Sequence, residues 1–99
     1  MEAIFARLTA ANIELLPAME LTTHFVFMRD GFVSLVERRE TGFGNIGAPG
    51  LLCDKGIAQL LWRGDKAFFV ARGFEREATA EEITGLRSFA EDLKNSLLA

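Results

Sequence analysis

The stretch TTHFVFMRDGFVSLVERR, residues 22–39, decides the fold. Alternating apolar residues flank Asp30-Gly31 on both sides. That dipeptide readily adopts the two positive φ angles of a type I′ turn, so the stretch reads as a β-hairpin. A two-residue turn also fixes the register. Arg29 faces Phe32, Met28 faces Val33, Val26 faces Leu35, and His24 faces Glu37. One face then gathers Val26, Met28, Val33 and Leu35. The other gathers Phe25, Phe27, Phe32 and Val36, with Ser34 and Arg38 among them.

A second hairpin follows at residues 57–74, around Gly64-Asp65. Glycine at the first turn position suits type II′. Trp62 then pairs with Ala67, Leu60 with Phe69 and Ala58 with Ala71, a wholly apolar face suited to lie under a helix. Its reverse carries Ile57, Leu61, Phe68 and Val70, mixed with Gln59, Arg63, Lys66 and Arg72.

Outside the hairpins the pattern changes period. Residues 79–98 predict a long helix: Thr79 and Glu82 make a capping box, and Ile83, Leu86, Ala90, Leu93 and Leu97 recur on one face beside Phe89. Residues 1–20 predict a short helical segment, with Ile4, Phe5 and Leu8 on one stripe. Thr9 would cap a second piece carrying Ile13 and Leu16, and Pro17 would end it. Residues 41–56 hold five glycines and Pro49 and read as a long glycine-rich loop, since interior glycines weaken a helix by about 1 kcal/mol each.

This order predicts a single α+β domain: two hairpins forming a four-stranded antiparallel sheet, with a short N-terminal and a long C-terminal helix packed on it. In element order the chain resembles the small dimerising modules of the roadblock and longin type, which also begin with a helix and an Asp-Gly hairpin. Four strands at ~4.8 Å spacing are about 19 Å wide, more than one helix covers. If both helices share the face bearing Val26, Leu35, Leu60, Trp62 and Phe69, the reverse is left bare. The expected dimer interface is therefore Phe25, Phe27, Val36, Leu61, Phe68 and Val70, buried by a two-fold partner; the alternative is a monomer in which the N-terminal helix and the glycine-rich loop fold over that face.

Composition narrows the function classes. A net charge of −3, with basic residues alternating with acids as in Glu37-Arg38-Arg39-Glu40, argues against nucleic acid. No apolar run approaches the ~18 residues of a membrane span. Glu2, Arg7, Asn12 and Glu14 break up the N-terminal stretch, so a signal peptide is not expected. Cys53 is the single cysteine, which fits a reducing, cytoplasmic setting. Nine Phe and one Trp without any Tyr favour dry contacts over wet recognition.

Candidates for chemistry are sparse. Gly42-Phe43-Gly44-Asn45-Ile46-Gly47 matches the dinucleotide fingerprint in its letters, which makes Gly42, Gly44 and Gly47 the candidate cofactor-binding residues. The mechanism of that fingerprint needs a strand before it and a helix opening within it, and Pro49 and Gly50 oppose the helix. Cys53 beside Lys55 is a candidate activated thiol. His24 and Glu37, expected cross-strand neighbours, form either an acid/base pair or a strand-end ion pair. Arg63-Gly64-Asp65 matches the integrin-binding tripeptide, yet Gly64 is what the turn itself requires. One His and one Cys make a metal centre unexpected, and no cofactor is expected. The favoured reading is a non-enzymatic homodimeric interaction or scaffold module with a further protein partner open. The alternative is a small-molecule-binding or enzymatic domain using residues 42–50 and Cys53.

Overall fold

The computed structural model describes residues 2–16, 23–40, 42–54 and 56–98. Helix α1 (Glu2–Ala10) leads into β1 (Glu14–Leu16). Seven more strands follow: β2 (His24–Arg29), β3 (Phe32–Arg39), β4 (Gly42–Ile46), β5 (Gly50–Cys53), β6 (Gly56–Arg63), β7 (Lys66–Ala71) and β8 (Phe74–Glu77). Helix α2 (Ala80–Leu98) closes the chain. The eight strands form one curled antiparallel sheet, a half-barrel, in the order β1-β2-β3-β5-β6-β7-β8, with β4 also paired to β3. The expected four-stranded sheet is therefore corrected to eight strands. The likeness to roadblock and longin modules fails with it, because strands and not a helix stand between the two hairpins.

Both hairpin registers are as the turns require. Asp30 and Gly31 have φ of 54° and 85°, and the ladder runs from Arg29↔Phe32 to His24↔Glu37. Gly64 has φ 66°, with Trp62↔Ala67 and Leu60↔Phe69 following. A third two-residue turn at Arg72-Gly73, with Gly73 at φ 74°, adds β8 where the second hairpin was expected to end.

Two other expectations are overturned. The second helical piece around Ile13 and Leu16 is β1, because α1 stops at a Schellman motif. Asn12 takes the left-handed conformation at φ 60°, Ile13 N–H donates to Leu8 O at 2.9 Å and Asn12 N–H to Thr9 O at 3.0 Å. Leu8 and Ile13, the apolar pair such a motif joins, are both buried. Pro17, the expected stop, lies outside the described residues. The glycine-rich loop is also a strand: β4 and β5 run as one interrupted strand against β3, in bulged register from Arg39↔Gly42 through Val36↔Ile46 to Phe32↔Leu51.

Because β5 links the hairpins, it sets their relative phase. Val33 faces Gly50, and Gly50 faces Gln59, so Val33 shares a face with Gln59, Leu61 and Phe68. Phe25, Phe27, Phe32 and Val36 join Ala58, Leu60, Ala67 and Phe69 on the opposite face. Both helices pack there. Phe27, Val36, Phe69, Phe89 and Leu93 are fully buried in one cluster with Leu8, Leu86 and Leu97. Gly85 lets α2 approach β3, where a Cβ would lie 3.1 Å from the Phe32 ring.

Arg29 ties the helical layer together. From β2 its guanidinium donates to Asp92 of α2 at 2.8 Å and to the Ala11 carbonyl after α1 at 2.9 Å, and it sits 5.7 Å from the centre of the Phe89 ring. Arg7 of α1 donates to the Ser96 carbonyl at 3.0 Å. The expected capping box is present: Glu82 N–H donates to Thr79 Oγ1 at 3.1 Å, and Thr79 N–H to Glu82 Oε1 at 2.9 Å.

Candidate functional site

The glycines of the fingerprint answer a packing problem inside the sheet. A Cβ at Gly47 would lie 2.8 Å from the Leu35 carbonyl oxygen, and one at Gly50 would lie 2.5 Å from that of Ala58. At Gly44 it would meet the Glu37–Arg39 ion pair, which crosses over that residue. Gly42, at φ 135°, follows the turn after β3. The fingerprint mechanism needs a helix opening within these residues, and the structure has strands there instead.

His24 and Glu37 are cross-strand neighbours as expected. They do not form an acid/base pair. The Glu37 carboxylate accepts from Arg39 Nε, while His24 Nδ1 lies 2.8 Å from Thr23 Oγ1. Cys53 ends β5, half-buried against the core, and faces Gly56; Lys55 lies outside the described residues. His24 sits on the opposite face and at the opposite end of the β2–β3 hairpin, some six strand residues away, about 20 Å. Thiol and imidazole thus make no nucleophile–base pair. Among the described residues no group of three His, Cys, Asp or Glu side chains is placed to hold a metal ion.

The six residues expected at a dimer interface divide between the two faces. Phe27 and Val36 are fully buried under the helices, and Phe25 packs on them through the Phe43 ring at 5.2 Å between centroids. Leu61, Phe68 and Val70 stay on the open face. There they are joined by Val26, Met28, Leu35, Leu52 and Ile57, which sequence reasoning had assigned to the covered side or left out. Leu61 and Leu52 are 47% and 48% exposed. Residues 50–53 carried the missing signal: Gly-Leu-Leu-Cys read as a strand would have phased the hairpins correctly.

Among the described residues no helix packs on this face; Leu52 and Leu61 stand exposed there, while Val33 near its centre is 1% exposed. The shortest principal extent of the molecule is 19 Å, which accommodates one sheet and one helical layer at roughly 10 Å each. Charges of both signs rim it. Arg63 pairs with Glu75 at 2.7 Å and lies over the Phe68 ring at 5.1 Å, holding the Glu75 carboxyl below its ordinary range. Lys66 and Glu77 complete that edge, and Glu37 and Arg39 stand at the far end. A second groove, between α1 and β1, exposes Phe5 and Leu15 but is lined equally by Thr9, Asn12 and Glu14.

No protein-family model, curated protein or solved structure matches the chain. Among the described residues no helix is long and apolar enough to cross a membrane.

Proposed function

We propose that this chain is a non-enzymatic interaction module that pairs with a second copy of itself through the open face of the sheet. One observation carries the reading. Both helices lie on one side of the sheet; on the other side, where no described helix packs, Leu52 and Leu61 are exposed, Val26, Leu35, Ile57, Phe68 and Val70 are half-buried and Val33 is buried. An apolar patch of this kind marks an interaction surface. Its rim carries Arg63 and Lys66 as well as Glu75 and Glu77, so a second copy can answer it charge for charge under two-fold rotation. A partner of uniform charge could not. The proposed interface keeps Leu61, Phe68 and Val70 and replaces Phe25, Phe27 and Val36 by Val26, Leu35 and Ile57. The lone thiol of Cys53 suits a reducing, cytoplasmic setting for such a module.

The test is a pair of charge insertions. Leu61→Glu and Phe68→Glu should both shift elution from the dimer to the monomer position on a light-scattering column, with circular dichroism unchanged. Elution of both variants and the parent at one and the same mass would remove the open face as the pairing surface.

A further inference from the structure

Helix α2 and strand β4 leave a gap between them on the helical side of the sheet. β4 pairs with β3 in a register that shifts between Val36 and Arg38, and the pair Val36↔Ile46 sets Ile46 on the same face as Val36. Ile46 is half-buried there, packed against the core. Across from it, Ala90 and Lys94 stand one turn apart on α2 and so share a flank of the helix. Between the two banks opens a cleft of about 460 Å³, lined by residues 44–49 together with Ala90 and Lys94.

The lining divides by chemistry. Ile46, Ala48, Pro49 and Ala90 are apolar, the two glycines bring no side chain, and Asn45 and Lys94 supply the polar ones. Asn45 and Lys94 are exposed, whereas Ile46, Pro49 and Ala90 are half-buried, so the polar groups stand at the mouth and the apolar ones lie deeper. A helical side chain leans toward the N-terminus of its helix, which carries the Lys94 stem back over Ala90. Among the described residues Lys94 makes no ion pair, so its ammonium is left to a bound anion. The backbone is no phosphate cradle, because the Gly47 N–H is already given to Leu35 O at 2.7 Å. One ammonium beside a mostly apolar wall suits a single negative charge on an apolar body.

We propose that this cleft binds a small aliphatic carboxylate, its tail against Ile46, Pro49 and Ala90 and its charge on Lys94 Nζ. The volume falls among those of small-molecule sites, roughly 300–1,000 Å³. Each methylene taken out of water in such a site tightens binding by about fourfold, and the charge-assisted hydrogen bond from Lys94 separates an acid from its neutral amide. The cleft lies under the helical layer and the pairing surface on the opposite face of the sheet, so the two proposals can fail separately.

The probe is sodium octanoate, titrated into the native chain and followed by the backbone amide shifts in NMR spectra. Saturable shifts are expected at residues 44–49 and 90–94. Hexanoate should bind about tenfold more weakly, for want of two methylenes. Octanamide, equal in length but uncharged, should also lose about tenfold, and Lys94→Gln should bring octanoate down to the level of octanamide. Ala90→Phe, which fills the cleft, should abolish binding; if circular dichroism shows that variant unfolded, the ligand series on the native chain and Lys94→Gln decide without it. An absence of shifts at millimolar octanoate would overturn the proposal, as would shifts confined to the open face around Leu61 and Phe68. Octanamide binding as tightly as octanoate, or octanoate indifferent to Lys94→Gln, would overturn it too.

Discussion

At the scale of single residues, steric fit and charge pairing each make a sharp prediction. Gly47 and Gly50 sit where a Cβ would strike a backbone carbonyl of a neighbouring strand, so neither obstacle can move aside without shifting the sheet. Gly47→Ala and Gly50→Ala should each lower stability by about 1–3 kcal/mol, the usual cost of overpacking. Gly44→Ala should cost less, because Glu37 and Arg39 are flexible side chains that can swing away. Urea denaturation of the three variants checks the ranking. Glu82 provides the second case. Arg76, bidentate on it at 2.9 and 2.7 Å, draws its carboxyl from 4.5 down to about 2, against the opposing pull of burial and with help from the Thr79 N–H. A depressed folded pKa stabilises the fold fully above the unfolded value of 4.5 and loses that stabilisation as pH falls through about 2. Glu82→Gln should therefore flatten the acid limb of the stability curve between those values, which denaturant midpoints measured across the range will show. Thr79→Ala, losing the other half of the box, should cost about 1 kcal/mol.

Among the elements, α1 depends most on one side chain. The Ala11 carbonyl just after it and the Asp92 carboxylate of α2 both accept from Arg29, whose side chain is only 15% exposed. Arg29→Met keeps the bulk over Phe89 and removes both bonds. It should cost about 2 kcal/mol, since hydrogen bonds to a charged group contribute ~1.5–3 kcal/mol. Amide exchange should quicken in α1 well before it does in β6 and β7; uniform quickening would show that Arg29 does not hold the helix in particular. How much of this was legible in the sequence follows the same division by element. The β2–β3 and β6–β7 hairpins were readable because two-residue turns fix register locally, and α2 because its cap and its 3.6-residue stripe are local as well. The strands at 42–53 were hidden because glycine there serves contacts between strands far apart in sequence. The Leu35 and Ala58 carbonyls that demand Gly47 and Gly50 cannot be seen from the glycine pattern itself. That one omission reversed the phase of the hairpins, and with it half of the expected interface. The Schellman stop at Asn12 was readable in principle, from an Asn five residues into a pattern that pairs Leu8 with Ile13.

For the whole molecule, the central claim is that a two-layer fold leaves one sheet face to a second copy. The faces differ in a way that mutation can separate. Phe27→Glu places a charge in a fully buried site under α2 and should unfold the chain, because an unpaired buried charge is among the costliest single changes. Phe68→Glu places it on the open face and should leave the fold intact. The most direct measurement is sedimentation equilibrium of the native chain at micromolar concentration, beside Phe68→Glu at the same loading. The open-face interface requires a native mass of twice 11.0 kDa, falling to 11.0 kDa in the variant. A native chain that sediments at 11.0 kDa throughout, or a variant that remains at twice that mass, contradicts it.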